Sequence, residues 1–526
     1  MLTRLKVSGF KSLLNVDIRF GPFTCVAGAN GSGKSNLFDA IGFLSAVADP
    51  KKDLLEAASS VRNDEGGGVD IHSLFHHDGN RYTKLMKFEA EMIVPQTGID
   101  ELGRQAQASI TFLSYALHLR YRPLNESPER GAGLEIVREE LSYIKRSEAA
   151  RHLWFKHSAK NWRDSVVVGT RRTTPFISTS TKTSGERTGR ESLASLAPFT
   201  GRQPATQVII NRHQEGVSGR PLEYLAATLP RTVLSTSNAA ESPTAFLARK
   251  EMQSWHLLQL EPTALRRSDD FVAPTHLSVN GAHLAATLHR LEQQSNTGQA
   301  CAQVSNRLAE LITGVGDVRV DVDQRREQFT VQLSDKSGHF HSARALSDGT
   351  LRFLALAVLE LDPDTTGVWC LEEPENGIHP ARIPVILRLL QDITMDVDEA
   401  EGSDNPMRQM IINTHSPSVV ADVPVDTLLI AQTRERMKDR DGYRYTSFTA
   451  IQDTWRSKPR GADSDDDAPM RAVSMGRLLD YLNPFALRHG TTNSNGPTRR
   501  QRLIDRQDMQ MLLPGVPSGD SPPGHR

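Results

Sequence analysis

Apolar positions in the first 27 residues recur mostly at intervals of two: Leu2, Leu5 and Val7, then Val16, Ile18 and Phe20, before Gly21-Pro22. This alternation predicts two strands and a turn. Gly9-Phe10-Lys11-Ser12 lies between the two runs, and Phe23 to Ala27 forms a further short run of strand formers. From Asn36 the spacing becomes helical, through Leu37, Ala40, Ile41 and Leu44. The pattern predicts a helix to about Val47, ended by Asp49-Pro50. Partial alternation over Lys87–Val94, Ala108–Arg122 and Leu134–Ile144 predicts β structure across 81–146. Residues 220–315 read as helical. Leu284, Leu288 and Leu291, followed by Val304, Leu308 and Leu311, predict a helical hairpin around Ser295-Asn296-Thr297-Gly298. Val318–Val322 with Phe329–Leu333 predicts a β-hairpin, and an apolar helical run starts at Leu351.

Composition narrows the class. With 526 residues, 38% apolar and 24% charged, the chain has ample material for a core, and its net charge of −1 gives no overall basic footprint. Cys25, Cys301 and Cys370 stand far apart with no C-x-x-C pair, which argues against a thiolate zinc site and fits a reducing compartment. The N-terminus carries no long apolar signal segment, and the apolar run Leu351–Leu361 is broken by Arg352 and Glu360. The expected location is cytoplasmic, with no membrane contact. Residues 151–220 differ from the rest: Lys and Arg outnumber Asp and Glu, and 169–190 is rich in Thr, Ser, Arg and Gly. This predicts a flexible or extended basic stretch, read either as solvated loop or as a contact for nucleic acid or an acidic partner. The adjacent His76 and His77 lack the paired helical spacing of a metal site.

Candidate chemistry is concentrated in four stretches. Gly28-Ala29-Asn30-Gly31-Ser32-Gly33-Lys34-Ser35 fits the phosphate-loop pattern G-x-x-x-x-G-K-[ST] in strand–loop–helix context. Its backbone N–H groups and the helix N-terminus would cradle phosphate oxygens, Lys34 would reach the β- and γ-phosphates, and Ser35 would ligate Mg²⁺. Leu346-Ser347-Asp348-Gly349-Thr350 opens the apolar helix and offers a second anion-binding helix end. Val368-Trp369-Cys370-Leu371-Glu372-Glu373 is an apolar strand ending in two carboxylates. Glu372 is assigned to Mg²⁺, usually through water, and Glu373 to orienting the attacking water. Met410 to Pro417 ends a strand at His415, which is placed to sense the γ-phosphate.

Together these stretches resemble the ABC-type ATPases of the branch that includes the SMC, Rad50, RecF and OLD-family proteins. Gly28–Ser35 looks like Walker A, Leu346–Thr350 like the LSGGQ signature, Val368–Glu373 like Walker B, Pro374–Gly377 like the D-loop and His415 like the H-loop histidine. Gly9–Ser12 resembles the F-[RK]-S stretch whose side chains lie near the nucleotide. The resemblance implies an α/β fold: an ABC-type (RecF/SMC-like) P-loop ATPase head with a mixed β sheet and an inserted, mostly helical arm of moderate length. Its expected parts are an N-terminal ATPase lobe over 1–130, a basic segment and helical arm over 131–340, a C-terminal lobe over 341–455, and a polar tail over 456–526. It implies ATP and Mg²⁺ held by Lys11, Ser12, Asn30, Gly31, Ser32, Gly33, Lys34, Ser35 and Asn36, with Ser35 and Glu372 on the metal and Glu373 and His415 catalytic. Ser347 and Gly349 would come from a second chain, so the expected assembly is a homodimer or higher. The chain departs from the pattern at Asp348, within the usual Gly-Gly pair, and at Glu372, where Walker B has Asp. Gln96 is a candidate for the Q-loop glutamine.

Gly28 and Leu346 are separated by 318 positions, far more than in transporter ATPases, yet no long coiled coil or C-x-x-C hook intervenes. Only 111 residues follow His415, without a strand-ending Glu and Asp-x-Asp set, so no built-in Toprim nuclease is expected. Met475, Leu478, Leu479 and Leu482 form an amphipathic stretch that would dock on the ATPase or a partner. The architecture resembles AAA_21- or AAA_15-type stand-alone ATPases, such as those of the Septu, retron-associated and PARIS anti-phage systems, which act with a separately encoded nuclease or toxin. A RecF-like DNA-maintenance ATPase, and a nucleotide-bound scaffold that sequesters a toxin with little turnover, are the alternatives. Contact with DNA or RNA would run through 151–220.

Overall fold

The computed structural model describes residues 1–62, 70–79, 81–123, 133–169, 173–183, 206–215, 220–294, 299–438, 441–457 and 470–473. The alternating runs of the N-terminal third build an eight-stranded antiparallel sheet. Its order is Leu222–Leu225, Thr206–Arg212, Ile177–Thr183, Gly133–Tyr143, Phe112–Arg122, Leu85–Ile93, Leu2–Phe10, Leu13–Arg19. The continuous apolar runs build a second sheet in the order Trp255–Leu258, Gly367–Glu372, Arg408–Thr414, Phe23–Ala27, Leu428–Lys438, Asp441–Ile451, Ala472–Val473. Its first five strands are parallel and the Asp441–Ile451 strand runs against Leu428–Lys438. Every residue of Phe23–Ala27 and Arg408–Thr414 is buried, because helices and the other sheet cover both faces of a parallel sheet.

The helix Lys34–Val47 lies between the sheets. Its Leu37, Phe38, Ile41, Phe43 and Leu44 share one core with Leu5, Val7 and Phe88 of the first sheet and Val368 and Ile411 of the second. Phe10, Phe43 and Phe88 meet at ring-centroid separations of 5.3–6.1 Å. The helices Leu284–Gln294 and Ala300–Leu311 bury the predicted apolar positions and pack on the helix Asp348–Leu361. Val315–Asp323 and Gln328–Asp335 form the predicted hairpin within a smaller sheet. The fold is mixed α/β. Among the described residues, no helix is long and apolar enough to cross a membrane.

Three stretches differ from the sequence-based expectation. Within the span expected as basic segment and helical arm, Ile177–Thr183, Thr206–Arg212 and Leu222–Leu225 extend the antiparallel sheet beyond the predicted Leu134–Ile144 run. Within 151–220, Trp162 is buried, with its indole N–H 3.1 Å from Met395 Sδ, so part of this polar stretch belongs to a core. Arg171, Arg172, Arg187 and Arg190 lie outside the described residues, as does the Met475–Leu482 stretch. The expected boundary at 455/456 falls inside a packed segment. Arg456 is buried, donates to the Arg19 carbonyl at 3.0 Å and to Thr24 Oγ1 at 3.1 Å, and stacks on the Trp455 ring at 3.9 Å.

Glu139 carries a prediction for stability. Its carboxylate is fully buried and accepts from the Val233 and Leu234 amides, each at 2.8 Å, and from the Tyr115 hydroxyl at 3.3 Å. Burial outweighs these bonds and pushes its pKa up from 4.5 to about 7. The folded chain therefore keeps a proton that the unfolded chain loses, so this contribution to stability falls as pH rises from about 4.5 to about 7. The stability advantage of wild type over Glu139→Gln is expected to shrink by roughly 2–3 kcal/mol between pH 5 and pH 8, measured by urea unfolding. A pH-independent difference would show that Glu139 is ionised throughout.

Candidate functional site

Three neighbouring parallel strands, Gly367–Glu372, Arg408–Thr414 and Phe23–Ala27, point their carboxyl ends at one edge of the second sheet. The phosphate loop follows one outer strand, Glu372 and Glu373 end the other, and His415 follows the strand between them. Pairing of Glu372 with Asn413, and of Thr414 with Ala27, sets the three ends level. Loops at strand carboxyl ends are where such sheets bind ligands. Here they enclose a cleft of about 580 Å³, lined by residues 30–36, Ser12, Glu372, Glu373, Asn376 and Asn413.

The loop is packed as the motif requires. Gly33 caps the helix with φ +87°, and a Cβ there would lie 1.9 Å from Thr446 Oγ1 and 2.6 Å from Ser12 Oγ. Only glycine meets both conditions. The Lys34 ammonium donates to the carbonyls of Gly28 at 2.7 Å and Ala29 at 2.9 Å. Burial pulls its pKa below the ordinary lysine value, and the charges of Glu373, Glu375 and Glu372 restore only part of the shift. Asn36 Nδ2 donates to Ser12 Oγ at 2.7 Å, and Ser12 Oγ lies 2.6 Å from Thr446 Oγ1, so the N-terminal stretch and the Asp441–Ile451 strand both brace the loop. Lys11, at φ +45°, turns its ammonium to Asp39 at 2.7 Å, while the His76 ring bonds the Lys11 carbonyl at 2.7 Å. His76 thus holds backbone, and His77 packs on the Tyr82 ring.

The two carboxylates have distinct surroundings. Glu373 sits at φ +46°, uncommon for a residue with a side chain, and its amide is held by the Asn413 carbonyl at 3.0 Å and Asn413 Oδ1 at 3.1 Å. Glu373 Oε1 is 2.8 Å from His415 Nδ1, so the two predicted catalytic side chains form a pair. Glu372 accepts from Asn413 Nδ2 at 3.1 Å and from Arg62 at 2.6 and 3.2 Å. Burial acts to raise its pKa, but bonds from Arg62, Ser35 and Asn413 outweigh that and hold it below the usual value. The Ser35 hydroxyl with this cluster of carboxylates is a hard-oxygen donor set suited to Mg²⁺.

Sequence reasoning missed Asn413, Arg62 and Gln259. Asn413 bonds the Glu372 carboxylate and the Glu373 backbone amide, and its one sequence signal is its position two residues before His415. Gln259 directly follows the strand Trp255–Leu258, which pairs in parallel with the Glu372 strand. It lines a second cleft with Glu372, Glu373 and Arg352. Gln96 instead lies in the bend after the Leu85–Ile93 strand, donates to the Ser165 carbonyl of a short helix, and does not line this cleft. Ser347 and Gly349 do not line the phosphate-loop cleft. Ser347 caps its helix by accepting from the Thr350 amide at 3.2 Å, and Arg266 donates to Asp348 and to the Leu346 carbonyl at 3.1 Å. Arg352, on the same helix, donates to the Asn376 carbonyl.

A family model described as "RecF/RecN/SMC N terminal domain" matches residues 1–64, and one described as "AAA domain, putative AbiEii toxin, Type IV TA system" matches residues 208–421. In these two parts the chain resembles the ABC-type ATPases of the SMC/RecF branch. The two matches of this SMC/RecF-like ATPase include the phosphate loop in one and the two carboxylates and His415 in the other. No curated protein sequence matches the chain. Among solved structures, similar chains include an SMC head bound to the C-winged helix domain of ScpA, at 14% identity over 85% of this chain and 97% of that one, with a TM-score of 0.41. The SMC head domain from Thermotoga maritima is 12% identical over 86% and 99%, with a TM-score of 0.35. An Smc head with an extended coiled coil, bound to the C-terminal domain of ScpA derived from Pyrococcus furiosus, is 12% identical over 85% and 96%, with a TM-score of 0.38.

Proposed function

We propose that this ATPase binds ATP with Mg²⁺ in the phosphate-loop cleft, hydrolyses it, and uses nucleotide-driven dimer closure to control a separate effector in bacterial anti-phage defence. The observation that carries the reading is the convergence of Lys34, Ser35, Glu372 and Glu373 on one cleft at adjacent strand ends, with His415 paired to Glu373. In this reading the loop amides and Lys34 bind the triphosphate, Ser35 and Glu372 hold the metal, and the metal neutralises phosphate charge when bound. Glu373 accepts the proton of the attacking water, and His415 orients the Glu373 carboxylate through their 2.8 Å contact. Asn413 fixes the backbone of Glu373 and one oxygen of Glu372.

Ser347 and Gly349 open a helix outside the cleft of their own chain, so a second copy is the natural donor of that helix end. It would cover the outer face of the triphosphate and exclude water, which strengthens each phosphate contact. The family matched over residues 208–421 is described by a type IV toxin–antitoxin system, which supports an effector-controlling role. The scaffold reading keeps one supporting observation, because Glu372 replaces the usual aspartate and is engaged by Arg62.

A mixing experiment tests the shared sites. Ser347→Arg is expected to bind ATP yet neither dimerise with it nor turn it over, and Lys34→Ala is expected to be inactive. Mixed dimers would contain one site with both defects and one intact composite site. Recovery of ATPase activity is the expected outcome. A mixture as inactive as either parent, with heterodimers demonstrated, would refute shared sites.

A further inference from the structure

Glu372 stands where this branch usually has aspartate, and the structure gives its longer arm a specific partner. Arg62 Nη1 donates to Glu372 Oε2 at 2.6 Å and Nη2 to Oε1 at 3.2 Å, so the guanidinium forks across both oxygens. Arg62 Nε donates to Asp39 Oδ1 at 2.8 Å, and Nη2 also reaches the Ser35 carbonyl at 3.3 Å. Asp39 lies four residues after Ser35, on the same face of the phosphate-loop helix. Its other oxygen takes Lys11 Nζ at 2.7 Å, and Lys11 Nζ donates back to the Arg62 carbonyl at 2.5 Å. Lys11, Asp39, Arg62 and Glu372 thus form a chain of alternating charge from the N-terminal stretch to the metal carboxylate.

An ionised carboxylate offers about four acceptor sites. At Glu372, Arg62 takes two and Asn413 takes a third at 3.1 Å. That leaves about one acceptor site, so a divalent cation drawing on this carboxylate, directly or through water, competes with these donors. Asn413 is neutral, whereas Arg62 is a cation and would be repelled by the metal across a few ångströms. Arg62 also loses least by leaving, because its Nε remains anchored on Asp39.

We propose that Arg62 competes with the divalent cation for Glu372, so that the metal requirement of the nucleotide site is set by this arginine. The inference rests on the ATP- and Mg²⁺-binding reading above. It gives the glutamate a physical role, since its longer side chain reaches the guanidinium while staying level with Asn413.

The test is a Mn²⁺ titration of the full chain, followed by electron paramagnetic resonance, with a saturating non-hydrolysable ATP analogue. Calorimetry of the same analogue with and without Mg²⁺ runs beside it, and thermal melting checks folding. Arg62→Gln is expected to lower the half-saturating Mn²⁺ concentration about 1.5- to fivefold, the range for a partly exposed ion pair. Arg62→Lys, a point charge that cannot fork across two oxygens, is expected to fall between the two and serves as the comparison should Arg62→Gln not fold. An unchanged or raised Mn²⁺ requirement in the variants, with the analogue still bound, overturns the inference and leaves the ATPase reading standing. A wild-type chain that binds no nucleotide at all overturns both.

Discussion

Lys34→Ala is expected to weaken ATP binding by about 30- to 900-fold, which corresponds to roughly 2–4 kcal/mol for a lost charge-assisted phosphate contact. Among the described residues, Lys34 is the one lysine lining the cleft, and burial has already pulled its pKa below the ordinary lysine value. Its ammonium bonds the Gly28 and Ala29 carbonyls at the base of the loop, so the side chain is directed along the loop rather than out to solvent. A phosphate oxygen offers that ammonium a full negative charge in place of a carbonyl dipole. Alanine removes the charge while leaving the loop amides, so some affinity remains. Isothermal titration of both chains with ATP and Mg²⁺ measures the difference, and equal affinities would remove Lys34 from the binding site.

Glu373→Gln is expected to bind ATP with near wild-type affinity but to lose about 10²- to 10⁴-fold in kcat, the range for losing a positioned general base. Glutamine preserves the shape and an acceptor for the His415 bond, so the change falls on proton acceptance rather than on packing. The positive φ of Glu373 and the two Asn413 bonds to its amide fix where the side chain starts. Such strain is retained where surrounding structure over-determines it, often at reacting groups. With hydrolysis blocked, the variant should also accumulate as an ATP-bound dimer in size-exclusion chromatography, which separates closure from turnover. Glu372→Ala should instead reduce the Mg²⁺ dependence of binding. Wild-type turnover by Glu373→Gln would reassign the water-orienting role to another group.

Much of the site was legible in the chain because each motif is local. A strand, a glycine-rich turn and a helix follow one another within residues 23–47, and physical rules about φ, helix ends and backbone amides need no distant partner there. The same holds for the apolar strand ending in Glu372 and Glu373 and for the strand before His415. The structure pairs these apolar strands in parallel, and a parallel sheet puts its strand ends on one edge.

Other features had no local trace. Ile177–Thr183 reads Ile-Ser-Thr-Ser-Thr-Lys-Thr, which has the composition of a loop, yet it is a strand because Thr206–Arg212 and Gly133–Tyr143 offer its backbone partners. Arg456 looks like the start of a solvated tail, but neutral oxygens from two distant segments and the Trp455 ring make its burial tolerable. Gln259 became visible only once the Trp255–Leu258 strand was seen beside the Glu372 strand.

The sequence by itself determined the phosphate loop, the paired carboxylates, His415 and their order, since each depends on spacing within a few residues. Only the tertiary structure decided that Arg62 grips Glu372, 310 residues away, that Asn413 holds the Glu372 carboxylate and the Glu373 amide, and that Ser347 stands outside its own chain's cleft. Single charged or polar residues far apart in the chain produce no periodicity, and their meeting is set by how the two sheets close around the helix Lys34–Val47.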